Sequence, residues 1–112
     1  MHELALMQHI VETCSAEAAG ERVECITIEV GALSGVMPEA LAFCFDVCIR
    51  DTPLAGARME IVRMPGGARC RVCGAEFELD DLLQPCECGS HDLVIMAGEA
   101  LRIQRMEVTR CA

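Results

Sequence analysis

From Leu4 to Ala19 the apolar residues Leu4, Met7, Val11, Cys14 and Ala18 recur at intervals of three and four, with Leu6 and Ile10 widening the stripe. That is the period of one helix face, and it predicts an amphipathic helix ended by Gly20. From Val23 to Val30 the period changes to two. Ile26, Ile28 and Val30 fall on one face and Cys25, Thr27 and Glu29 on the other, the pattern of a half-buried strand. Gly31-Ala32-Leu33-Ser34-Gly35 is a turn, after which Pro38 suits the first position of a second helix and Glu39 its positive end. Leu41, Cys44, Phe45 and Cys48 make the buried stripe of that helix, and Asp51-Thr52-Pro53 stops it. Arg58 to Met64 predicts a second strand with Met59 and Ile61 inward, broken by Pro65-Gly66-Gly67. Leu101 to Val108 predicts a third, whose pattern slips phase between Ile103 and Met106 and so implies a bulge near Gln104.

These elements define an α+β fold: a small mixed three-stranded sheet with two helices on one face. The strands come from both sides of a cysteine-rich segment, so that segment is an insertion whose two ends lie close together. The expected division is a discontinuous core domain, residues 1–66 and 97–112, and an inserted domain, residues 67–96.

The insertion carries the candidate chemistry. Cys70-Arg71-Val72-Cys73-Gly74 is followed, twelve residues on, by Cys86-Glu87-Cys88-Gly89-Ser90-His91. Two close cysteine pairs predict one tetrahedral zinc site, since a short spacer lets a tight turn aim both sulfurs at one ion. A glycine follows the second cysteine of each pair, where a left-handed backbone would burden any other residue. The second pair has one intervening residue instead of the usual two. A redox or disulfide role is the competing reading of Cys70 and Cys73, but thioredoxin-like pairs open a helix, whereas Ala75 to Leu79 after this pair has the pattern of a strand. A hydrolytic zinc site is poorly supported, because four thiolates leave no open position for water. His91, directly after the second pair, could approach the zinc or replace a thiolate when ligands protonate.

Composition narrows the functional classes. The chain has 112 residues, 53% of them hydrophobic, with three Phe and no Trp or Tyr, so its core is aliphatic and sulfur-rich, with seven Met. The scattered Cys14, Cys25, Cys44, Cys48 and Cys111 fit small buried hydrophobes. No run approaches the apolar length of a membrane span, and Glu3 stands at the N-terminus with no basic region ahead of a hydrophobic segment. A soluble protein that keeps its first residues is expected, and nine cysteines without a secretion signal point to a reducing compartment. The net charge of −9 argues against nucleic acid, which needs clustered cations to displace counterions.

The extreme N-terminus is a second candidate site. Histidine at position two disfavours methionine removal, so the Met1 α-amine stays beside the His2 imidazole. The amine, the amide nitrogens of His2 and Glu3, and a His2 ring nitrogen can offer a planar all-nitrogen set, which favours Ni(II) or Cu(II) over zinc. His9, two helical turns on, falls on roughly the same side and fits a helix-surface residue.

With both features in view, the chain resembles the HypA/HybF family of hydrogenase maturation nickel metallochaperones over nearly its whole length. The resemblance is carried by Met1-His2-Glu3, by the run Glu29 to Val36, by Leu41-Ala42-Phe43-Cys44-Phe45-Asp46, and by the two cysteine pairs with Cys88-Gly89-Ser90. It implies a nickel site at Met1, His2 and Glu3 and a structural zinc at Cys70, Cys73, Cys86 and Cys88. The family commonly has two residues between the second pair of cysteines, where this chain has one. The resemblance further implies a cytoplasmic, non-enzymatic accessory protein. It would deliver Ni(II) to the precursor of the [NiFe]-hydrogenase large subunit with a HypB-type GTPase, and in some members serve urease maturation. The rival readings are a zinc-ribbon interaction module without metal transport and a thiol oxidoreductase using Cys70 and Cys73.

Overall fold

The computed structural model describes residues 2–109. Helix α1, His2–Ala18, buries Met7, Ile10, Val11, Cys14 and Ala18, and so starts two residues before its apolar stripe. Strand β1 is Arg22–Gly31, helix α2 Pro38–Cys48 and strand β2 Arg58–Met64, followed by β3 Gly66–Cys70, β4 Glu76–Leu79, β5 Leu93–Ala97 and β6 Leu101–Thr109. No helix of the described residues is long and apolar enough to cross a membrane.

The first sheet has the order β2-β1-β6. β1 runs parallel to β2, with α2 in the crossover that parallel pairing requires, and antiparallel to β6. Val23, Ile26, Ile28 and Val30 join the buried residues of both helices in one core, so the helices share one face of this sheet. Thr52 closes the end of α2. Its hydroxyl donates to the Ile49 carbonyl (2.6 Å) and accepts from the Leu54 N–H (3.1 Å).

Two features of this sheet bear on what period alone can tell. The bulge expected near Gln104 is present: Thr27 pairs with Arg105 and Ile28 with Ile103, leaving Gln104 without a partner in the ladder. Its side-chain amide donates instead to the Glu29 carboxylate (2.9 Å), which also accepts from the Arg102 guanidinium (3.1 Å). The alternation of β1, by contrast, predicted burial on one face only. Cys25 and Thr27 are buried as well, although they lie outside the helix-covered core, because in the central strand Cys25 stands between Arg58 and Glu107 and Thr27 between Glu60 and Arg105.

The second sheet, in the order β4-β3-β5, is antiparallel throughout. Here the expectation from sequence needs correction. Pro65-Gly66-Gly67 ends β2 but does not end strand structure, since Gly66 and Gly67 open β3, and β5 was not foreseen at all. Gly66 is there because neighbouring chain comes close: a Cβ on it would collide with the Leu79 carbonyl oxygen and the Leu33 side chain. Glycine marks a close backbone approach inside a strand as well as a turn.

This sheet has its own small core of Leu33, Ala68 and Leu79, with Phe77, Leu93 and Ile95 packed against it. The radius of gyration is 17.4 Å, where a single compact domain of this length has about 13 Å. The chain is extended because two cores lie along it. They meet where β1 ends: the Gly31 N–H donates to Ala100 (2.9 Å), Ala32 to Met64 (2.9 Å) and Leu33 to Gly98 (2.8 Å). A Cβ on Gly31 would land on the Gly98 carbonyl, whereas one on Gly67 would meet the Ala97 side chain at an ordinary 3.6 Å.

Gly31→Ala should therefore destabilise the protein by about 1–3 kcal/mol through forced backbone displacement, while Gly67→Ala should stay within about 0.5 kcal/mol of the parent. Urea unfolding of the two variants side by side checks this. Equal stability would show that the Gly31–Gly98 approach is not a constraint.

Candidate metal centre

The second sheet explains why two cysteine pairs twelve residues apart converge. β3 runs into the first pair, ending at Cys70, and β5 leaves the second pair, beginning at Leu93. Cys70 and Leu93 are antiparallel partners. The ladder continues past them, with the Arg71 N–H donating to the Asp92 carbonyl (2.9 Å) and an exposed Arg71–Asp92 ion pair at 3.5 Å alongside. On the other side of β3, Arg69 pairs with Glu76, so β4 carries the chain away from the first pair.

Each pair sits in a tight turn, and the turns differ in length. The first closes through the Gly74 N–H on the Cys70 carbonyl (2.9 Å), a span of four residues. The second closes through the Gly89 N–H on the Cys86 carbonyl (2.8 Å), a span of three, with Cys86 N–H donating to Ser90 (2.9 Å). Gly74 and Gly89 have φ of 78° and 90°, the left-handed region expected of the glycine after each pair. The missing residue of Cys86-Glu87-Cys88 is thus absorbed by a shorter turn, and no sulfur is lost from the cluster.

The four sulfurs of Cys70, Cys73, Cys86 and Cys88 lie within 4.8 Å of one another. Cys70 and Cys88 are 3.7 Å apart at sulfur and Cys73 and Cys86 3.5 Å, and the four are free thiols. Thiolates about 2.3 Å from a tetrahedral zinc stand about 3.8 Å from each other, so the cluster fits a zinc site. Such a site is closed by its own ligands and leaves no position for substrate. Cys70 and Cys86 are buried and Cys73 and Cys88 exposed. The Cys70–Cys73 turn leads into β4 and opens no helix, unlike a thioredoxin-like pair.

The thiols are electrostatically unequal. The Cys73 N–H, which donates to the Cys70 sulfur over 3.5 Å, holds that thiol down to about 6 against the opposing effect of burial, helped by the Val72 N–H and the Cys88 side chain. The Cys88 N–H pulls Cys86 the same way, but burial and the neighbouring thiols of Cys73, Cys88 and Cys70 outweigh it and push Cys86 up to about 12. Four thiolates cannot share so small a space without a cation between them.

The other candidate residues fall apart from this cluster. His91 is exposed and is not part of it. Met1 lies outside the described residues, as does Cys111. His2 is exposed in the first turn of α1, and His9 is exposed further along the same helix. The half-buried Glu3 has a role the sequence did not disclose: its carboxylate accepts the N–H of Met37, the residue capping α2, at 3.3 Å. Its own backbone N–H and that of Met37 hold the Glu3 carboxyl below its ordinary range. Met37 lacks a capping oxygen of its own before a helix that starts with proline, and that absence was the one signal available. The scattered thiols behave differently from the four: Cys14 and Cys25 are buried, Cys44 and Cys48 half-buried, and burial raises the pKa of Cys14, Cys25 and Cys48.

Fold and site together define a two-core α+β protein with a four-cysteine cluster fit to hold a metal at the end of its second sheet. The model of the family described as "Hydrogenase/urease nickel incorporation, metallochaperone, hypA" matches residues 1–108, and the chain belongs to that family. Its members are maturation factors and generally not enzymes. Among curated relatives, the hydrogenase maturation factor HypA of Geobacter metallireducens is 46% identical over 109 residues, covering 96% of this chain and 99% of the relative. That of a Nostoc strain is 47% identical over 108 residues, 96% of each chain. In solved structures, the fold is similar to the solution structure of the Ni metallochaperone HypA from Helicobacter pylori, with a TM-score of 0.66 at 18% identity over 95% of this chain and 96% of that one.

Because Cys70 crosses its own pKa between pH 7 and pH 5, filling the thiol site with zinc should release about one more proton per ion at pH 5 than at pH 7, and zinc should bind more weakly in acid. Calorimetric titration in buffers of different ionisation enthalpy measures that difference. An unchanged proton count would show that Cys70 is not depressed.

Proposed function

We propose that the protein carries Ni(II) at its N-terminus and delivers it to the large-subunit precursor of a [NiFe]-hydrogenase. In this reading a zinc ion held by Cys70, Cys73, Cys86 and Cys88 has a structural role. The observation that carries the reading is the family match, which begins at residue 1 and so includes Met1-His2-Glu3.

The local structure supports it. His2 is exposed, and the first N–H groups of an α-helix have no partner four residues back. The amide nitrogens of His2 and Glu3 can therefore serve a metal without breaking the helix. With the Met1 α-amine and a His2 ring nitrogen they complete the planar set that suits Ni(II). The Glu3 carboxylate, which accepts the Met37 N–H, adds negative charge beside the cargo. A carrier must also surrender its metal. A helix end has few packed contacts to break, so release does not require unfolding the core.

The division of labour follows the proposed domains: residues 1–66 with 97–112 hold nickel, and residues 67–96 hold zinc. A HypB-type GTPase is the proposed working partner, and the cytoplasm the proposed compartment.

His2→Ala in untagged protein should abolish specific nickel binding by calorimetry while leaving zinc content and melting temperature unchanged. Nickel affinity equal to the parent's would sink the N-terminal site. Cys73→Ser should reduce zinc by elemental analysis and destabilise the second sheet, since metal binding in so small a segment is largely its folding energy. Stoichiometric zinc with an unchanged melting curve would remove Cys73 from the ligand set.

A further inference from the structure

The outer side of the helix pair is apolar where solvent should make it polar. Leu4, Ala40, Phe43, Cys44 and Val47 line a groove of about 390 Å³ that begins at Glu3. Leu4 and Val47 also line a second hollow of about 550 Å³ with Gln8, Val11 and Glu12, so the two form one trough between α1 and α2. Phe43 is 73% exposed and Val47 45%, although the buried stripe of α2 is satisfied by Leu41 and Phe45 on its inner side. Large exposed apolar residues gathered along one trough, instead of scattered, mark an interaction surface.

Charge says what covers it. The two helices carry Glu3, Glu12, Glu17, Glu39 and Asp46 and no arginine, and the whole chain has no lysine. Glu39, Phe43 and Val47 follow one another at intervals of four along α2, as do Leu4, Gln8 and Glu12 along α1, so acid and apolar groups share the same stripes. A second copy of this chain presenting this same face would set carboxylates against carboxylates. An anionic lipid surface would be repelled in the same way.

We propose that the α1–α2 trough is a docking site for an amphipathic helix of a partner protein whose apolar face is flanked by arginine or lysine. The apolar residues of that helix, spaced at three and four, fill the trough over Phe43 and Val47, and its cations meet the carboxylates of Glu3, Glu12, Glu39 and Asp46.

The test uses the full chain and three fluorescent peptides of about five helical turns. One has leucine on an amphipathic face and lysine elsewhere, one has glutamate in place of lysine, and one keeps the lysines but replaces leucine by serine. The leucine–lysine peptide should saturate the protein at one to one, weaken as salt rises, and perturb amide resonances in α1 and α2. Phe43→Ser, at an exposed position that leaves the core intact, should weaken it at least about tenfold, the loss expected for an anchoring aromatic residue. Val47→Ser should act in the same direction. Equal binding of the leucine–lysine peptide by both variants, or equal binding of the serine–lysine or leucine–glutamate peptide, would overturn the proposal. So would a concentration-dependent dimer, or binding to phosphatidylglycerol vesicles, that Phe43→Ser abolishes.

Discussion

Everything distal to β1 depends on how the chain passes Gly31. The strand must pair with β2 on one side and β6 on the other, and the residues between β2 and β6 must leave and return within the width of one strand. That is possible because Gly31, Gly66 and Gly98 bring backbone against backbone where side chains would collide. Leu33, just beyond, then reaches into the second core and gives the inserted sheet an apolar anchor in the first part of the chain. One constraint thus sets the separation of the cores and the position of the metal site relative to the helices.

Within the second sheet electrostatics matters more than burial. Three short strands around a core of Leu33, Ala68 and Leu79 bury little apolar surface, so an ion held by the four sulfurs would add most to their stability. Cys70 is poised to ionise and Cys86 resists it. A dication bound there would pair with all four sulfurs at once and so would staple the sheet.

The first sheet and its two helices divide their charge by layer. The helices are acidic and partly apolar on their outer side, while Arg58, Arg102 and Arg105 lie on the strands. On the helix-free face of the sheet, Glu29 gathers Arg102 and Gln104, so polar groups there are engaged with each other. The helix layer has no such internal partners for its apolar residues. Function in this family concerns handing on a metal, and a surface that takes a partner near the first turn of α1 is consistent with that task.

Much was legible in the chain itself. Period identified α1, β1, α2, β2 and β6, a phase slip located the bulge at Gln104, and cysteine spacing with its trailing glycines located the metal cluster. These signals are local, because they record which side of one element is wet, or how far one turn can reach. What was not legible depends on neighbours distant in sequence. Gly66 looked like part of a break until Leu79 and Leu33 were seen packed against it, and Cys25 and Thr27 looked half-exposed until β2 and β6 were seen to flank them on both sides. The shorter turn at Cys86, the bond from Met37 to Glu3 and the trough under Phe43 likewise arise between segments. The sequence by itself determined the two helices, the strands of the first sheet and which residues can hold a metal. The tertiary structure decided how those elements close on one another, because packing and hydrogen bonding between distant segments leave no period to read.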